Sequence, residues 1–107
     1  GVSSPASSPR NAGAARAVHF VGAGGVGLSA LAKVALAQGY AVSGSDASES
    51  ARLAELRALG AEVHVGHAAE QVPLAVLEAG GELAVVRSSA VPESNVEVAA
   101  ATEAGVP

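Results

Sequence analysis

A glycine-rich segment offers the clearest chemistry in this sequence. Residues 22–27 read GAGGVG and fit the pattern G-x-G-x-x-G, between a β-rich run at 18–21 and an apolar stretch that begins at Val26. In this pattern the first glycine permits a tight turn, the middle glycines let the backbone approach a phosphate, and the last allows close helix packing. A helix start adds unpaired N–H groups that favour an anion. The segment therefore predicts a diphosphate site that needs no Lys or Arg. A glycine-rich turn required only for packing is the alternative.

Polar side chains also follow two later predicted strands. Asp46 ends the second strand, nineteen residues after Gly27, where dinucleotide-binding folds place the acid that bonds ribose hydroxyls. Asp46 with Glu49 equally fits a helix N-cap with its capping glutamate. Ser88 and Ser89 follow the fourth strand. Their hydroxyls suit a nucleotide or diphosphate, although serine is also an ordinary turn former.

The elements that must position these residues alternate along the chain. We predict strands at residues 18–21, 41–45, 61–65 and 82–86, and helices at 26–38, 49–59, 72–79 and 95–104. Strands separated by such helices favour right-handed crossovers and a Rossmann-like, doubly wound parallel sheet. Ligands of such sheets bind beyond the carboxyl ends of the strands, where the strand order reverses. The third strand alternates apolar and polar residues, which favours a sheet edge.

The boundaries of this α/β domain follow from composition. Residues 1–16 are rich in Ser, Pro, Gly and Ala, and we interpret them as a disordered extension or tag remnant. One domain is predicted from 17 to 107, with Val106-Pro107 as the first step of a further strand that is cut off. On the first helix, Ser29 and Lys33 are four residues apart and are predicted to share its solvent-facing stripe.

Composition excludes several classes of function. The chain has 107 residues, six Lys or Arg against ten Asp or Glu, and a net charge of −4, which disfavours nucleic acid as a partner. Without Cys there is no disulfide, thiolate metal site or cysteine nucleophile, and three scattered His residues predict no metal site. Glycines and His19 interrupt the only candidate export signal, and Lys33 interrupts a membrane span, so we expect a cytoplasmic protein with no membrane partner.

Three functional hypotheses remain open from the residues alone. The first is an NAD(P)- or FAD-binding Rossmann domain of an oxidoreductase. The second is a Rossmann-like domain that holds another diphosphate, such as a nucleotide sugar. The third is a structural or partner-binding module. The missing GK[ST] ending excludes a phosphoryl-transfer P-loop in the glycine segment.

Longer stretches of the sequence resemble a known family. The segment VHFVGAGGVGLSALAKVALAQGYAVSGSDASES, with LGAEVHVGH and VVRSSAVPESNVEVAAATEAGVP after it, is similar to the N-terminal domain of the Mur ligase family, in its alanine-adding branch. The resemblance covers Val18 to Pro107. Its features include Gly24-Gly25, Ser43 to Asp46, Gly66-His67, and Ser88 to Pro92 with Asn95 and Glu97 beyond. Found together in this order and spacing, these features are a specific signal of the family.

The resemblance implies a function for the site. The family's alanine-adding enzyme joins L-alanine to UDP-N-acetylmuramate with ATP and Mg²⁺, through an acyl phosphate. The family sometimes forms dimers, so the resemblance leaves open whether this protein is a homodimer. Its N-terminal domain holds the UDP moiety. The diphosphate would then lie on the N–H groups of Ala23, Gly24, Gly25, Val26 and Gly27, and the uridine or sugar beside Asp46, His67, Ser88 and Ser89. His67 also fits an ordinary loop or cap residue. Catalytic residues, metal and ATP belong to later domains, so this chain is expected to bind without catalysis.

Overall fold

Four parallel strands form one sheet in the computed structural model, which describes residues 15–106. The strands are β1 (Arg16–Val21), β2 (Ala41–Asp46), β3 (Glu62–Val65) and β4 (Glu82–Arg87). Their order across the sheet is β3-β2-β1-β4, with β1 paired in parallel to both β2 and β4. The chain therefore runs from β1 outward to β3 and then returns to the other side of β1. The predicted parallel α/β fold is confirmed, with β3 at an edge.

Helices cover both faces of the sheet. They are α1 (Val26–Ala37), α2 (Ala51–Ala58), α3 (Ala75–Glu78) and α4 (Val96–Glu103), with a 3₁₀ turn at Ala69–Gln71. The α1 and α2 face buries Phe20, Leu53 and Leu56, and the opposite face packs Leu83 against Ala101 and Val106. Alternate residues of β1 and of β4 thus serve two cores, as in a doubly wound sheet. The helix predicted at 72–79 is shorter, and the 3₁₀ turn precedes it.

The start of the folded domain and one helix face differ from the sequence-based expectation. Strand β1 begins at Arg16, so the folded domain starts at least one residue before the predicted boundary at 17, and residues 1–14 of the expected extension lie outside the described part. On α1, Ser29 is 5% exposed, whereas Leu31 and Val34 are 53% and 52% exposed. The predicted stripe of Ser29 and Lys33 is therefore wrong. The Ser29 hydroxyl donates to the Val26 carbonyl, at 3.2 Å, and can be buried because that bond satisfies it.

Gly44 explains how the glycine loop packs against β2. A β-carbon at this position would lie 2.6 Å from the Phe20 carbonyl oxygen and 3.1 Å from the Ala23 β-carbon. Only glycine leaves room for that approach. In the described range 15–106, no helix has the length and apolarity that a membrane span requires.

Candidate functional site

The predicted site residues lie at the carboxyl edge of the sheet. Strand order reverses between β1 and β4, and the loops that follow these two strands contact each other there. The N–H of Ser88 donates to the Val21 carbonyl at 2.9 Å, and a β-carbon on Gly22 would lie 2.9 Å from that of Ser88. Gly22 has a φ of 93°, which glycine adopts without strain. The glycine segment therefore occupies the switch point, where ligands of such sheets bind.

Most N–H groups of the glycine loop already have acceptors. Those of Gly22 and Ala23 donate to the Ser45 carbonyl, at 2.8 and 2.9 Å, which fastens the loop to β2. Gly24 donates to Oδ2 of Asp46 at 2.8 Å, and Gly25 to the Gly22 carbonyl at 3.1 Å. Of the five predicted phosphate donors, the N–H groups of Ala23, Gly24 and Gly25 thus hold the loop together.

The first turn of α1 carries the unpaired donors. The N–H groups of Val26, Gly27 and Leu28 have no acceptor among residues 15–106, and Gly25 as N-cap provides no side chain to accept them. Gly27 is exposed, and a β-carbon on it would meet nothing within 4 Å. The expectation that Gly27 permits close helix packing is therefore wrong. An open helix start of this kind can bind an anion through its N–H groups and partial positive charge.

Asp46 lies beside the glycine loop and not at a helix start. Its Oδ2 accepts from Gly24, and its Oδ1 accepts from the Ala47 N–H at 2.7 Å. The N-cap of α2 is Ser50, whose Oγ accepts from the Leu53 N–H at 3.3 Å. The capping interpretation of Asp46 is therefore wrong, because the helix begins later than expected. The carboxylate retains lone pairs for a ligand, since each oxygen can accept more than one hydrogen bond.

The loop after β4 is held by its own contacts. The Ser88 Oγ accepts from the Ala90 N–H at 3.2 Å, and Ser89 is exposed. Arg87 donates to the Val91 carbonyl at 2.6 Å and lies 3.6 Å from the Glu93 carboxylate. The guanidinium therefore braces this loop.

His67 lies at the end of β3, next to the end of β2. The N–H of the preceding Gly66 donates to the Asp46 carbonyl at 2.7 Å. The His67 side chain is 21% exposed, and its Nδ1 lies 2.8 Å from Ser45 Oγ. The structure thus brings the glycine loop, Asp46 and His67 to neighbouring strand ends, in the order β1, β2, β3, with Ser88 and Ser89 on the β4 side.

A buried carboxylate beneath this edge was missed by the sequence analysis as a site residue. Glu97, in the first turn of α4, is fully buried. Its carboxylate accepts hydrogen bonds from side chains or backbone of four other segments. Its Oε1 accepts from His19 Nε2 at 2.6 Å and from Ser45 Oγ at 2.7 Å. Its Oε2 accepts from the Ala68 N–H at 2.9 Å and from Gln71 Nε2 at 2.7 Å.

The hydrogen bonds determine the charge of this carboxylate. Burial on its own would raise the pKa of Glu97, but the donors His19, Ala68, Ser45 and Gln71 outweigh it and lower the pKa to about 2. Glu97 is therefore ionised at neutral pH. The available sequence signal was an acid directly beside the apolar positions of α4, since Glu97 precedes the buried Val98.

Metal-binding groups are not clustered in the described part of the chain. Among residues 15–106 no three His, Asp or Glu side chains are grouped as metal ligands require.

Sheet order, crossovers and the glycine loop together define a Rossmann-like α/β domain. Residues 17–107 match the family model described as "Mur ligase family, catalytic domain". The chain belongs to the Mur ligase family.

Two curated relatives from different bacteria share one name. A UDP-N-acetylmuramate–L-alanine ligase of Chlorobaculum tepidum is 48% identical over 100 residues, which are 92% of this chain and 20% of that protein. The ligase of the same name from Streptomyces coelicolor is 49% identical over 89 residues, which are 83% of this chain and 18% of that protein. The chain thus spans about a fifth of the length of these curated relatives.

A solved structure is also similar. It is the UDP-N-acetylmuramate:L-alanyl-gamma-D-glutamyl-meso-diaminopimelate ligase from Neisseria meningitides, with a TM-score of 0.70 and 30% identity, over 88% of this chain and 28% of that one. These comparisons give no support to the oxidoreductase hypothesis.

Proposed function

We propose that this chain is the UDP-binding N-terminal part of an ATP-dependent ligase that joins L-alanine to UDP-N-acetylmuramate in the cytoplasm. The names of the relatives, at 48–49% identity, support the substrate and the reaction. L-alanine, ATP and Mg²⁺ would be bound by parts of the protein beyond this chain. The isolated chain is proposed to bind UDP and to form no amide bond, because its sequence has no GK[ST] phosphate loop and the family's catalytic residues are expected in later domains.

The observation that carries the proposal is the open helix start beside Asp46. The N–H groups of Val26, Gly27 and Leu28 lack acceptors within residues 15–106, at the edge where the strand order reverses. A diphosphate placed there would receive charge-assisted hydrogen bonds from the backbone. The uridine side of the ligand would then lie toward Asp46 and His67. Ser88 and Ser89 would lie on the opposite side of the ligand, next to β4.

An NMR titration of the amide groups tests the proposal. UDP is expected to shift the resonances of Val26, Gly27 and Leu28 most strongly, followed by those of residues near Asp46 and Ser88. NADH is expected to leave them unshifted. A response to NADH with none to UDP would favour a dinucleotide-binding domain, and silence toward both would favour a purely structural module.

A further inference from the structure

Three hydrogen-bonded side chains connect the core to the edge of the site. Ser45 Oγ lies 2.7 Å from Oε1 of Glu97 and 2.8 Å from Nδ1 of His67. Glu97 and Ser45 are fully buried, whereas the His67 side chain is 21% exposed. No hydrogen bond to Nε2 of His67 is formed by residues 15–106. That nitrogen is therefore the free polar atom at the outer end of the chain of hydrogen bonds.

The direction of each hydrogen bond follows from the number of protons available. An ionised carboxylate only accepts, and a serine hydroxyl has one hydrogen to give. With the pKa of Glu97 lowered to about 2, the hydroxyl hydrogen of Ser45 points to Glu97, because two bare oxygens 2.7 Å apart would repel each other. Ser45 Oγ consequently faces His67 with a lone pair. The hydrogen between them must belong to Nδ1 of His67.

We propose that Glu97, acting through Ser45, holds His67 as the Nδ1–H tautomer, so that Nε2 accepts a hydrogen bond from the uridine moiety of the ligand. Glu97 and Ser45 are positioning residues, and His67 is the residue that contacts the ligand. The second hydrogen bond of a histidine ring commonly selects its tautomer in this way. The ligand is taken from the proposed function, on which this inference rests.

The location of His67 fits a contact with the nucleoside. Gly66 is bonded to the end of β2 through the Asp46 carbonyl, at 2.7 Å, and the Asp46 carboxylate lies against the glycine loop. A nucleotide with its diphosphate on α1 would extend past Asp46 toward His67. Two parts of uridine offer a donor to Nε2: the imide N–H of uracil and the ribose hydroxyls.

The first experiment measures the tautomer without ligand. Long-range ¹H–¹⁵N NMR spectra of the histidine rings distinguish a protonated from an unprotonated nitrogen. We expect Nδ1–H for His67 in the unchanged chain, and conversion toward the Nε2–H form in Ser45→Ala. Ser43→Ala is the matched control, since its hydroxyl bonds to Nδ1 of His19, at 2.8 Å, and not to His67. Ser45→Ala is preferred to a Glu97 substitution because four donors converge on that carboxylate and its loss threatens the fold.

The second experiment adds UDP. We expect the ¹⁵N resonance of His67 Nε2 to move on binding, and Ser45→Ala to bind UDP about fivefold more weakly, the effect of losing one hydrogen bond. Ser43→Ala should bind as tightly as the unchanged chain. If UDP moves the Nε2 resonance and CDP does not, the donor is the uracil imide. If CDP moves it too, 2′,3′-dideoxy-UDP identifies the donor: a ribose hydroxyl if the dideoxy compound leaves the resonance in place, and the base if it does not.

Two results would overturn the inference. One is an Nε2–H tautomer of His67 in the unchanged chain. The other is UDP binding that shifts the α1 amides and leaves Nε2 unmoved. If UDP shifts nothing, the proposed function fails and the recognition step fails with it. The tautomer of His67 is measured without ligand, so it tests the positioning by Ser45 and Glu97 even when UDP does not bind.

Discussion

The carboxylate of Asp46 accepts a hydrogen bond from the amide nitrogen of Gly24, with 2.8 Å between Oδ2 and the nitrogen. The bond joins the loop after β1 to the end of β2. A β-carbon on Gly24 would lie 2.9 Å from the same oxygen, so glycine is what permits the approach. Asp46 therefore fixes the glycine loop and remains positioned beside the helix start of α1.

Asp46→Ala is expected to weaken UDP binding by about tenfold or more. The substitution removes a charged acceptor of hydrogen bonds, each worth about 1.5–3 kcal/mol, and releases the N–H of Gly24. Isothermal titration calorimetry with UDP measures the loss. Thr102→Val is the control: it removes a hydroxyl that donates to the Val98 carbonyl at 3.0 Å, near the end of α4 that is far from the site, so UDP affinity should be kept. Equal affinity of Asp46→Ala and the unchanged chain would contradict this role.

Gly27→Ala separates ligand contact from folding. Nothing in the described structure lies within 4 Å of a β-carbon at Gly27, and alanine favours helix by about 1 kcal/mol over glycine. We expect unchanged or higher stability in urea unfolding. UDP affinity should fall, because the added methyl group occupies space at the helix start that a phosphate would approach. Undiminished UDP affinity would show that no phosphate comes close to this residue.

Gly44→Ala, unlike Gly27→Ala, should destabilise the fold. Its β-carbon would lie 2.6 Å from the Phe20 carbonyl oxygen, which belongs to the backbone of the central strand and cannot move away cheaply. We expect a loss of about 1–3 kcal/mol in the free energy of unfolding, as for other overpacked positions. Urea unfolding followed by circular dichroism measures it. A stability equal to that of the unchanged chain would mean that Gly44 and the Phe20 carbonyl group are not in close contact.

The sequence was sufficient to predict the strands and helices that have local signals. The alternation of strands and helices was predicted in the right order, and β3 was correctly placed at an edge from its polar alternation. Helix starts were less accurate: Ser50 caps α2, although Asp46 and Glu49 also fit a capping pattern. The burial of Ser29 could not be predicted from spacing, because it depends on a hydrogen bond to the Val26 carbonyl.

The buried hydrogen bonds around Glu97 could be recognised only from the folded structure. His19 and Glu97 are 78 positions apart in the sequence, and no local pattern connects them. Only the fold brings the first turn of α4 close enough for the Glu97 carboxylate to reach both His19 of β1 and Ser45 of β2. The residues predicted for the site, by contrast, each follow a strand, and parallel strands bring their carboxyl ends to one edge. Placement at that edge was therefore predictable, and the hydrogen bonds that support it were not.

Acid is expected to destabilise the fold through Glu97. Its pKa is lowered from 4.5 to about 2, so the unfolded chain binds more protons than the folded one between these values. The carboxylate therefore contributes stability above about pH 4.5, on the order of 3 kcal/mol, which is lost as the pH falls toward 2. Urea unfolding at a series of pH values from 6 to about 2.5 measures the loss.

The variants Ser45→Ala and Ser43→Ala separate Glu97 from the other carboxylates in that measurement. Ser45→Ala removes one of the donors that lower the pKa of Glu97, so the decline in stability between pH 4.5 and 2 should become smaller. Ser43 bonds to His19 and makes no hydrogen bond to Glu97, so its variant should keep the decline of the unchanged chain. His19 and His67 are the titratable side chains that face the carboxylate, at 2.6 and 3.7 Å, and both variants retain them. An equal decline in both variants would contradict the contribution of Ser45 to the ionisation of Glu97.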